Sequence, residues 1–252
     1  SVSNRLLNHA VHRVLEPTFD KTFIADSFSC RIGKGTHAAG LRFVSMARKV
    51  SKNNTKTCWV LKCDIRKFFA SISHKKLLEI LARHIANAQT LELPEQIISS
   101  FELEPGVGLP LGNLTSQLFV NIYMNKFDQF VKHKLKVKNY IRYADDFVLL
   151  SHDREWLEAQ MLPMKEFLRE ELGLDLHPRK VSLQTLHSGV DWLGWIYFTD
   201  HRVLRAVTKR RMKQNVTQRA DEATTQSYLG LMRYGNAHKL TQEILNDNWL
   251  WG

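Results

Sequence analysis

Apolar side chains recur along this chain with two different spacings, which together predict a mixture of helices and strands. Helical spacing, with apolar residues three or four positions apart, covers residues 4–15, 38–50, 118–134 and 155–171. Runs rich in β-branched and aromatic residues, which are typical of strands, lie at residues 57–64, 140–150 and 190–198. The mixed pattern predicts an α+β protein.

Local signals predict where several of these helices begin and end. The first helix is predicted to end before Pro17, because proline disfavours a helical conformation of the preceding residue. Thr36 is the predicted N-cap of the second helix, and Ser73 is the predicted N-cap of a helix that extends to about residue 84. Gly173 is predicted to stop the helix that covers residues 155–171.

The strand-like run at residues 140–150 is interrupted by two adjacent carboxylates, Asp145 and Asp146. Apolar residues on both sides predict two strands joined by a tight acidic turn. Two carboxylates held there repel each other and lose hydration, so keeping both ionised requires a cation, and hard oxygen ligands suit Mg²⁺. The alternative is a solvated turn, which the crowded apolar flanks disfavour.

A second acid, Asp64, ends the strand-like run at residues 57–64 and precedes Phe68 and Phe69. At a strand end it is placed to meet a hairpin tip from a neighbouring strand. Alone, Asp64 could equally be a structural capping residue. A strand-end acid together with a distant acidic hairpin is the arrangement that a two-metal site requires.

Glycines and basic residues precede the second predicted helix, in the stretch Arg31-Ile32-Gly33-Lys34-Gly35-Thr36-His37. A helix N-terminus with free backbone N–H groups attracts phosphate. The spacing differs from that of a P-loop, so a triphosphate contact and a plain turn both stay open. A second glycine-rich stretch, residues 106–117, leads into the next long helix and can form the floor under a base pair.

The composition favours a polyanionic partner. Of the 252 residues, 44% are hydrophobic and 24% are charged, as in an ordinary globular protein. The formal net charge of +11 favours nucleic acid as the partner, with an anionic membrane surface as the second choice. No apolar run approaches a membrane span and no signal peptide opens the chain. The start at Ser1 leads us to expect that the sequence begins partway into a longer chain.

The three cysteines, Cys30, Cys58 and Cys63, form no Cys-x-x-Cys pair. Neither a zinc site nor a disulfide framework is therefore expected, and a reducing cytoplasm is the simplest setting.

The end of the chain differs in charge from the rest. Residues 201–219 contain seven basic residues and no acid, which is the expected footprint on a phosphate backbone. The aromatic strand before it, residues 190–198, could grip nucleic acid or could simply be a packed hairpin.

The spaced motifs together resemble those of reverse transcriptases and span nearly the whole chain. They comprise Asp64 before Phe68-Phe69, the glycine-rich stretch 108–116, Tyr143-Ala144-Asp145-Asp146, Lys180 and the aromatic strand 192–198. The resemblance implies a right-hand polymerase fold with fingers, an antiparallel-sheet palm and a helical thumb. It assigns residues 1–56 to N-terminally incomplete fingers, 57–199 to the palm, with finger helices near 74–105, and 200–252 to a basic thumb.

The resemblance also implies roles for matching positions. Asp64 and Asp145 would hold two Mg²⁺ ions with help from Asp146 and the Ile65 backbone, and the Ile65 backbone would also help hold the nucleotide triphosphate. Lys180 would protonate the leaving pyrophosphate.

Further matching positions would contact the incoming nucleotide or the nucleic acid. Phe69 falls at the family's steric gate against a ribose 2′-hydroxyl. The other positions expected to contact the nucleotide are Arg31, Lys34, Leu111 and Gly112. Contacts with primer and template are expected from Trp192, Gly194, Arg205, Lys209, Arg210 and Arg211.

One departure narrows the resemblance. Most reverse transcriptases have Gln-Gly-x-x-x-Ser-Pro, whereas this chain has Leu111-Gly112-Asn113-Leu114-Thr115-Ser116-Gln117. That variant resembles the enzymes of bacterial and phage diversity-generating retroelements, which copy a template-repeat RNA with frequent errors at adenines. A leucine offers shape but no hydrogen bond, which weakens polar checking of the new base pair. This subgroup implies a basic, oligomeric accessory protein and a structured RNA as partners.

Two alternatives stay open. The first is another bacterial reverse transcriptase, of the group II intron, retron or phage-defence type. The second is a non-catalytic RNA-binding scaffold on a polymerase fold, which the presence of all three acids disfavours.

Overall fold

The structure, a computed structural model, describes residues 2–85, 87–219 and 221–249. Its helices are α1 (Val2–Asp20), α2 (Thr36–Val50), α3 (His74–Ala82), α4 (Ala88–Ser99), α5 (Leu114–Gln129), α6 (Arg154–Phe167), α7 (Ala206–Arg219), α8 (Glu222–Met232) and α9 (His238–Trp249). Its strands are β1 (Trp59–Asp64), β2 (Tyr140–Tyr143), β3 (Asp146–Ser151), β4 (Ser182–Thr185), β5 (Val190–Trp192), β6 (Trp195–Tyr197) and β7 (Arg202–Leu204).

Two antiparallel sheets organise these elements. The larger sheet has the strand order β2-β3-β1-β4, and the smaller has the order β5-β6-β7. In the larger sheet, β1 lies in the centre and pairs with β3 so that Asp64 stands opposite Asp146. The fold is therefore of the predicted α+β class.

The larger sheet is covered on both faces. Since successive side chains of a strand point to opposite sides, neighbouring residues of β1 and β3 enter different cores. Leu61 and Leu149 point into a core formed with α1, α3, α5 and α6. Val60 and Val148 point into a second core formed with α2, the smaller sheet and the last helices. This burial on both faces explains the nearly continuous apolar runs of β1 and β3. It also holds rigidly the ends of these strands, where Asp64 and Asp146 lie.

Two predicted helix ends were wrong. Helix α1 continues through Pro17 to Asp20, because Leu15 and Phe19, 3% and 1% exposed, both pack into the first core. Such packing outweighs the local preference of proline. Helix α2 begins at Thr36 with Gly35 as its N-cap, and no side chain caps it. Ser73 does cap α3, as predicted, and accepts a hydrogen bond from the Lys76 backbone N–H at 3.4 Å.

Helix α6 continues into a π-helical turn, Leu168–Leu172, and stops at Gly173, which has a left-handed φ of 66° as the sequence predicted. In the described part of the chain, no helix combines the length and apolar character that crossing a membrane requires. The division into fingers, palm and thumb stays a prediction.

Candidate active site

Three carboxylates meet at one end of the larger sheet. Strands β2 and β3 are joined by a tight turn in which Ala144 has a left-handed φ of 54° and Asp145 follows it. The backbone N–H of Ile65, just after β1, donates to the Asp145 carbonyl oxygen at 3.2 Å. Since Asp64 also stands opposite Asp146, the predicted meeting of the strand-end acid and the hairpin tip is confirmed.

The electrostatics of this sheet end disfavour its full ionisation. Burial raises the pKa of Asp145, and the Asp64 charge adds to the effect. Burial, followed by repulsion from Asp64 and Asp145, raises the pKa of Asp146 to about 6 although Lys62 opposes the shift. The Asp146 Oδ1 atom is buried and accepts no hydrogen bond, with the Lys62 Nζ atom 3.8 Å away. Crowded carboxylates with an unpartnered oxygen fit a hard divalent cation such as Mg²⁺.

Lys180 covers Asp64 in this conformation. Its Nζ atom donates to both carboxylate oxygens of Asp64, at 3.1 and 3.0 Å, and this hydrogen bonding is the main cause of the raised pKa of Lys180. Among the described residues, no three acidic, histidine or cysteine side chains are arranged as a ready metal-ligand set. Binding a metal at Asp64 therefore requires Lys180, whose side chain is 54% exposed, to turn away.

An aromatic turn and a glycine turn lie beside each other next to the acids. Phe69, half-buried in the 3-10 turn that follows β1, accepts a backbone hydrogen bond from Leu109 at 2.8 Å. Two residues further on, the Leu111 side chain is 77% exposed, and Gly112 has a left-handed φ of 87°. The predicted gate and the predicted base-pair floor are thus joined through their backbones.

The basic loop before α2 is held from inside. The Arg31 guanidinium, whose side chain is 9% exposed, binds the Asp20 carboxylate at 2.5 Å and the carbonyl oxygens of Ile24 and Ser27 at 2.9 Å. The Lys34 Nζ atom donates to the Ala25 carbonyl oxygen at 2.7 Å. Both cations therefore organise the loop in this conformation, and their contact with phosphate stays a prediction.

One predicted nucleic-acid contact was wrong. Trp192 is fully buried and packs against Phe43 and Tyr197, with ring centroids 5.4 and 6.4 Å apart, so it cannot stack on a base. The packed-hairpin alternative is correct for this side chain. Gly194, with a φ of 84°, forms the turn between β5 and β6.

The basic residues that follow the hairpin differ in how freely their charges are presented. Arg205 forms an ion pair with Asp191 and its side chain is 38% exposed. On α7, Lys209 is half-buried, whereas Arg210 and Arg211 are exposed. Arg210 and Arg211 therefore present the freest charges of this group to a phosphate backbone.

Sequence reasoning missed the buried ion pair of Arg142 and Asp128, both of whose side chains are 0% exposed. The signal was a basic residue inside the apolar run of β2, between Ile141 and Tyr143. A charge at such a position needs a buried partner.

The architecture and the acid cluster define a class of protein. A covered antiparallel sheet ending in three carboxylates, beside a glycine turn and an aromatic turn, is the arrangement of a metal-dependent nucleotidyl-transferring polymerase. The sequence profile of the family "Reverse transcriptase (RNA-dependent DNA polymerase)" matches residues 1–197. The chain therefore belongs to the reverse transcriptase family, whose members generally use divalent metal ions.

Two curated relatives illustrate this membership. Protein YkfC of Escherichia coli (strain K12) is 24% identical over 243 residues, which cover 81% of this chain and 62% of YkfC. The group II intron-encoded protein LtrA of Lactococcus lactis subsp. cremoris is 21% identical over 280 residues, which cover 83% of this chain and 44% of LtrA. The chain thus spans less than two thirds of the length of either relative.

Solved structures confirm the fold class. An apo telomerase of Candida tropicalis, truncated from its C-terminal domain, matches 78% of this chain and 45% of its own with a TM-score of 0.61 at 14% identity. A Candida tropicalis telomerase in complex with a TWJ fragment of telomeric RNA matches 94% of this chain and 44% of its own with a TM-score of 0.62 at 12% identity. The predicted right-hand polymerase fold is therefore confirmed.

Proposed function

We propose that this chain is the RNA-directed DNA polymerase of a diversity-generating retroelement. It copies a template-repeat RNA into cDNA, with low fidelity at adenines, for mutagenic retrohoming. Its substrates are deoxynucleoside triphosphates and a primer paired with template RNA. Asp64, Asp145 and Asp146 would hold two Mg²⁺ ions, which would supply activation of the primer 3′-hydroxyl and neutralisation of the triphosphate charge.

The residues of the chain contribute binding, orientation and proton transfer. The Asp145 carbonyl and the Ile65 N–H hold the acidic turn against the end of β1, which fixes the carboxylates relative to each other. Lys180 donates to both carboxylate oxygens of Asp64 in this conformation, and after turning away to admit a metal its ammonium group would supply the proton for the leaving pyrophosphate. Phe69 excludes a 2′-hydroxyl by its bulk.

The exposed Leu111 side chain is the observation that carries the subtype. It projects from a tight turn whose backbone is bonded to the Phe69 turn, and it offers the nascent base pair no hydrogen bond. A site that checks shape alone discriminates weakly between paired and mispaired bases, because no polar group is left unsatisfied by the wrong one.

The proposed partners follow from the subtype and the charge. They are the template RNA, the primer and cDNA, and a basic oligomeric accessory protein, all in the cytoplasm. The exposed basic residues of α7, Arg210 and Arg211, bind the nucleic-acid backbone.

A second candidate function is a polymerase of the group II intron type. It is favoured by the similarity to LtrA and to other proteins named for introns, among them a nuclear intron maturase of Arabidopsis thaliana that is 30% identical over 138 residues. That match covers only 16% of the Arabidopsis protein.

Sequenced primer extension separates these candidates. The full chain, with Mg²⁺ and all four deoxynucleotides, extends a DNA primer on a defined RNA template, and the products are sequenced beside those of Asp145→Ala. The proposal predicts synthesis that Asp145→Ala abolishes, with errors concentrated opposite template adenines. Faithful synthesis would move the assignment to the intron type. If no DNA is made even with accessory protein and native RNA, the chain is better explained as a non-catalytic RNA-binding scaffold.

A further inference from the structure

Arg142 is a buried cation whose donors are all directed at partners. Its Nε atom donates to Asp128 Oδ1 at 2.8 Å, and one Nη2 hydrogen bond reaches Asp128 Oδ2 at 2.7 Å. The other donors reach Asn121 Oδ1 at 3.2 Å, the Ala144 carbonyl oxygen at 3.0 Å and Ser27 Oγ at 3.0 Å. These contacts engage all the N–H groups of a planar guanidinium, which therefore has one orientation only. We call Arg142 and Asp128 the buried hub.

One arm of the buried hub holds the acidic turn. The Ala144 carbonyl oxygen that Arg142 binds belongs to the peptide that leads into Asp145. Ala144 has a φ of 54°, a conformation that a residue with a Cβ adopts only when its surroundings impose it. The hydrogen bond from Arg142 is such an imposed contact, so it helps determine where the Asp145 carboxylate points.

A second arm holds the segment that leads into the basic glycine loop at residues 31–35. Ser27 Oγ accepts from Arg142, and the backbone of Arg142 pairs with this segment through the Asp26 carbonyl oxygen and the Phe28 N–H, both at 3.0 Å. Asn121, also bonded to Arg142, donates to the Ser29 carbonyl oxygen at 2.8 Å. The loop therefore starts from a fixed point on the buried hub.

We infer that Arg142, oriented by Asp128, is a positioning residue that sets the acidic turn relative to the basic glycine loop. The inference rests on the proposed function, in which the turn holds the metal ions, and on the predicted contact of Arg31 and Lys34 in the loop with the triphosphate. One rigid cation bonded to both segments keeps the two ends of the nucleotide site in register, and misplacement by about 1 Å is enough to slow a reaction on the order of a hundredfold.

Three variants separate the arms of the buried hub. Arg142→Lys keeps the charge but lacks the planar fork that reaches Ala144 and Ser27. Ser27→Ala removes only the side-chain arm toward the glycine loop. Tyr140→Phe is the matched control, because the fully buried Tyr140 hydroxyl donates to Asp128 Oδ1 at 2.7 Å and bonds neither the acidic turn nor the segment before the glycine loop.

Kinetics and metal binding are measured on the full chain. With Mg²⁺, primer and RNA template, we expect Ser27→Ala to raise the KM for deoxynucleotide about tenfold and Arg142→Lys to lower kcat on the order of a hundredfold. Tyr140→Phe should change either constant by no more than about twofold. Mn²⁺ binding without nucleotide, followed by electron paramagnetic resonance, should weaken in Arg142→Lys and stay unchanged in Tyr140→Phe.

A merely structural role predicts a different pattern. In that case the changes in KM and kcat would simply follow each variant's loss of melting temperature. If Ser27→Ala and Tyr140→Phe show this pattern, with no selective rise of KM in Ser27→Ala, the positioning role is overturned. Should Arg142→Lys fail to fold, the comparison of Ser27→Ala with Tyr140→Phe decides alone. Should the wild-type chain make no DNA, the polymerase proposal fails. The positioning inference is then tested by Mn²⁺ binding alone. A weaker Mn²⁺ affinity in Arg142→Lys supports the inference, and an unchanged affinity overturns it.

Discussion

Two groups of charged side chains, the buried hub and the half-buried acid cluster, are linked through the turn between β2 and β3, and their charges are satisfied in opposite ways. In the buried hub, Arg142 and Asp128 neutralise each other, and every guanidinium N–H has an acceptor. In the acid cluster, Asp64, Asp145 and Asp146 repel one another, and Asp146 Oδ1 is buried without a hydrogen bond. A fold retains such an unsatisfied group where a ligand completes it, and it pairs charges fully where it needs rigidity.

Removing one acid should have the largest effect on activity. Asp145→Asn keeps the size of the side chain but removes a charge needed for metal binding, so we expect primer extension to fall about a thousandfold or more. Asp200→Asn, an exposed acid bonded to His201, is the control and should retain full activity. Equal activity of both variants would show that the acid cluster does not take part in nucleotide addition.

Neutralising one charge in each group should shift stability in opposite directions. Asp128→Asn leaves Arg142 buried without its counterion, so we expect a loss of about 3–5 kcal/mol in the free energy of unfolding. Asp146→Asn relieves repulsion and burial of charge, so without metal at pH 7 it should gain about 3 kcal/mol at most. Denaturant unfolding of both variants measures this, and a loss of stability in Asp146→Asn would contradict the comparison.

The gain from Asp146→Asn should depend on pH. The pKa of Asp146 is raised to about 6 from 3.8, so the folded protein holds this proton more tightly than the unfolded chain does. The stability of the wild type therefore falls as pH rises from about 4 to about 6 and is constant above that range with respect to this group. The difference between wild type and variant should vanish near pH 4 in unfolding curves measured without divalent metal.

The aromatic turn should control the choice of sugar. Phe69→Ala opens space for a 2′-hydroxyl, so we expect discrimination against ribonucleotides to fall on the order of a hundredfold. Incorporation of single ribonucleotides measures this effect. Phe198→Ala, which removes a ring stacked on His201 in the turn between β6 and β7, is the control and should not change the discrimination.

The smallest expected effect concerns Leu111. Leu111→Gln adds a hydrogen-bonding group to the glycine turn, so we expect errors opposite template adenines to fall about tenfold or less. Leu162→Gln, a change at a similarly exposed leucine of α6, serves as the control in the same sequencing assay. An unchanged error spectrum in Leu111→Gln would show that Leu111 does not determine the fidelity of copying.

The sequence predicted the acid cluster because that cluster follows from local rules. Apolar flanks place Asp145 at a hairpin tip and Asp64 at a strand end, and antiparallel pairing brings the two together. Trp192 was placed wrongly because its burial depends on Phe43, a distant residue of α2. The same limit applies to α1, where packing of Phe19 carries the helix past Pro17.

The buried hub was invisible to sequence patterns for a related reason. Its partners come from α5, β2 and the segment before the basic loop, so no local spacing marks them. An arginine inside an apolar strand signals that a counterion exists but does not identify Asp128 as that counterion.

The most direct test of the account is a Mg²⁺ titration of single-turnover primer extension on an RNA template, with wild type, Asp145→Asn and Asp200→Asn in parallel. The account predicts DNA synthesis that requires Mg²⁺, disappears in Asp145→Asn and is unchanged in Asp200→Asn. DNA synthesis that persists in Asp145→Asn with the same Mg²⁺ dependence would contradict the claim that the unsatisfied acid cluster is the polymerase centre.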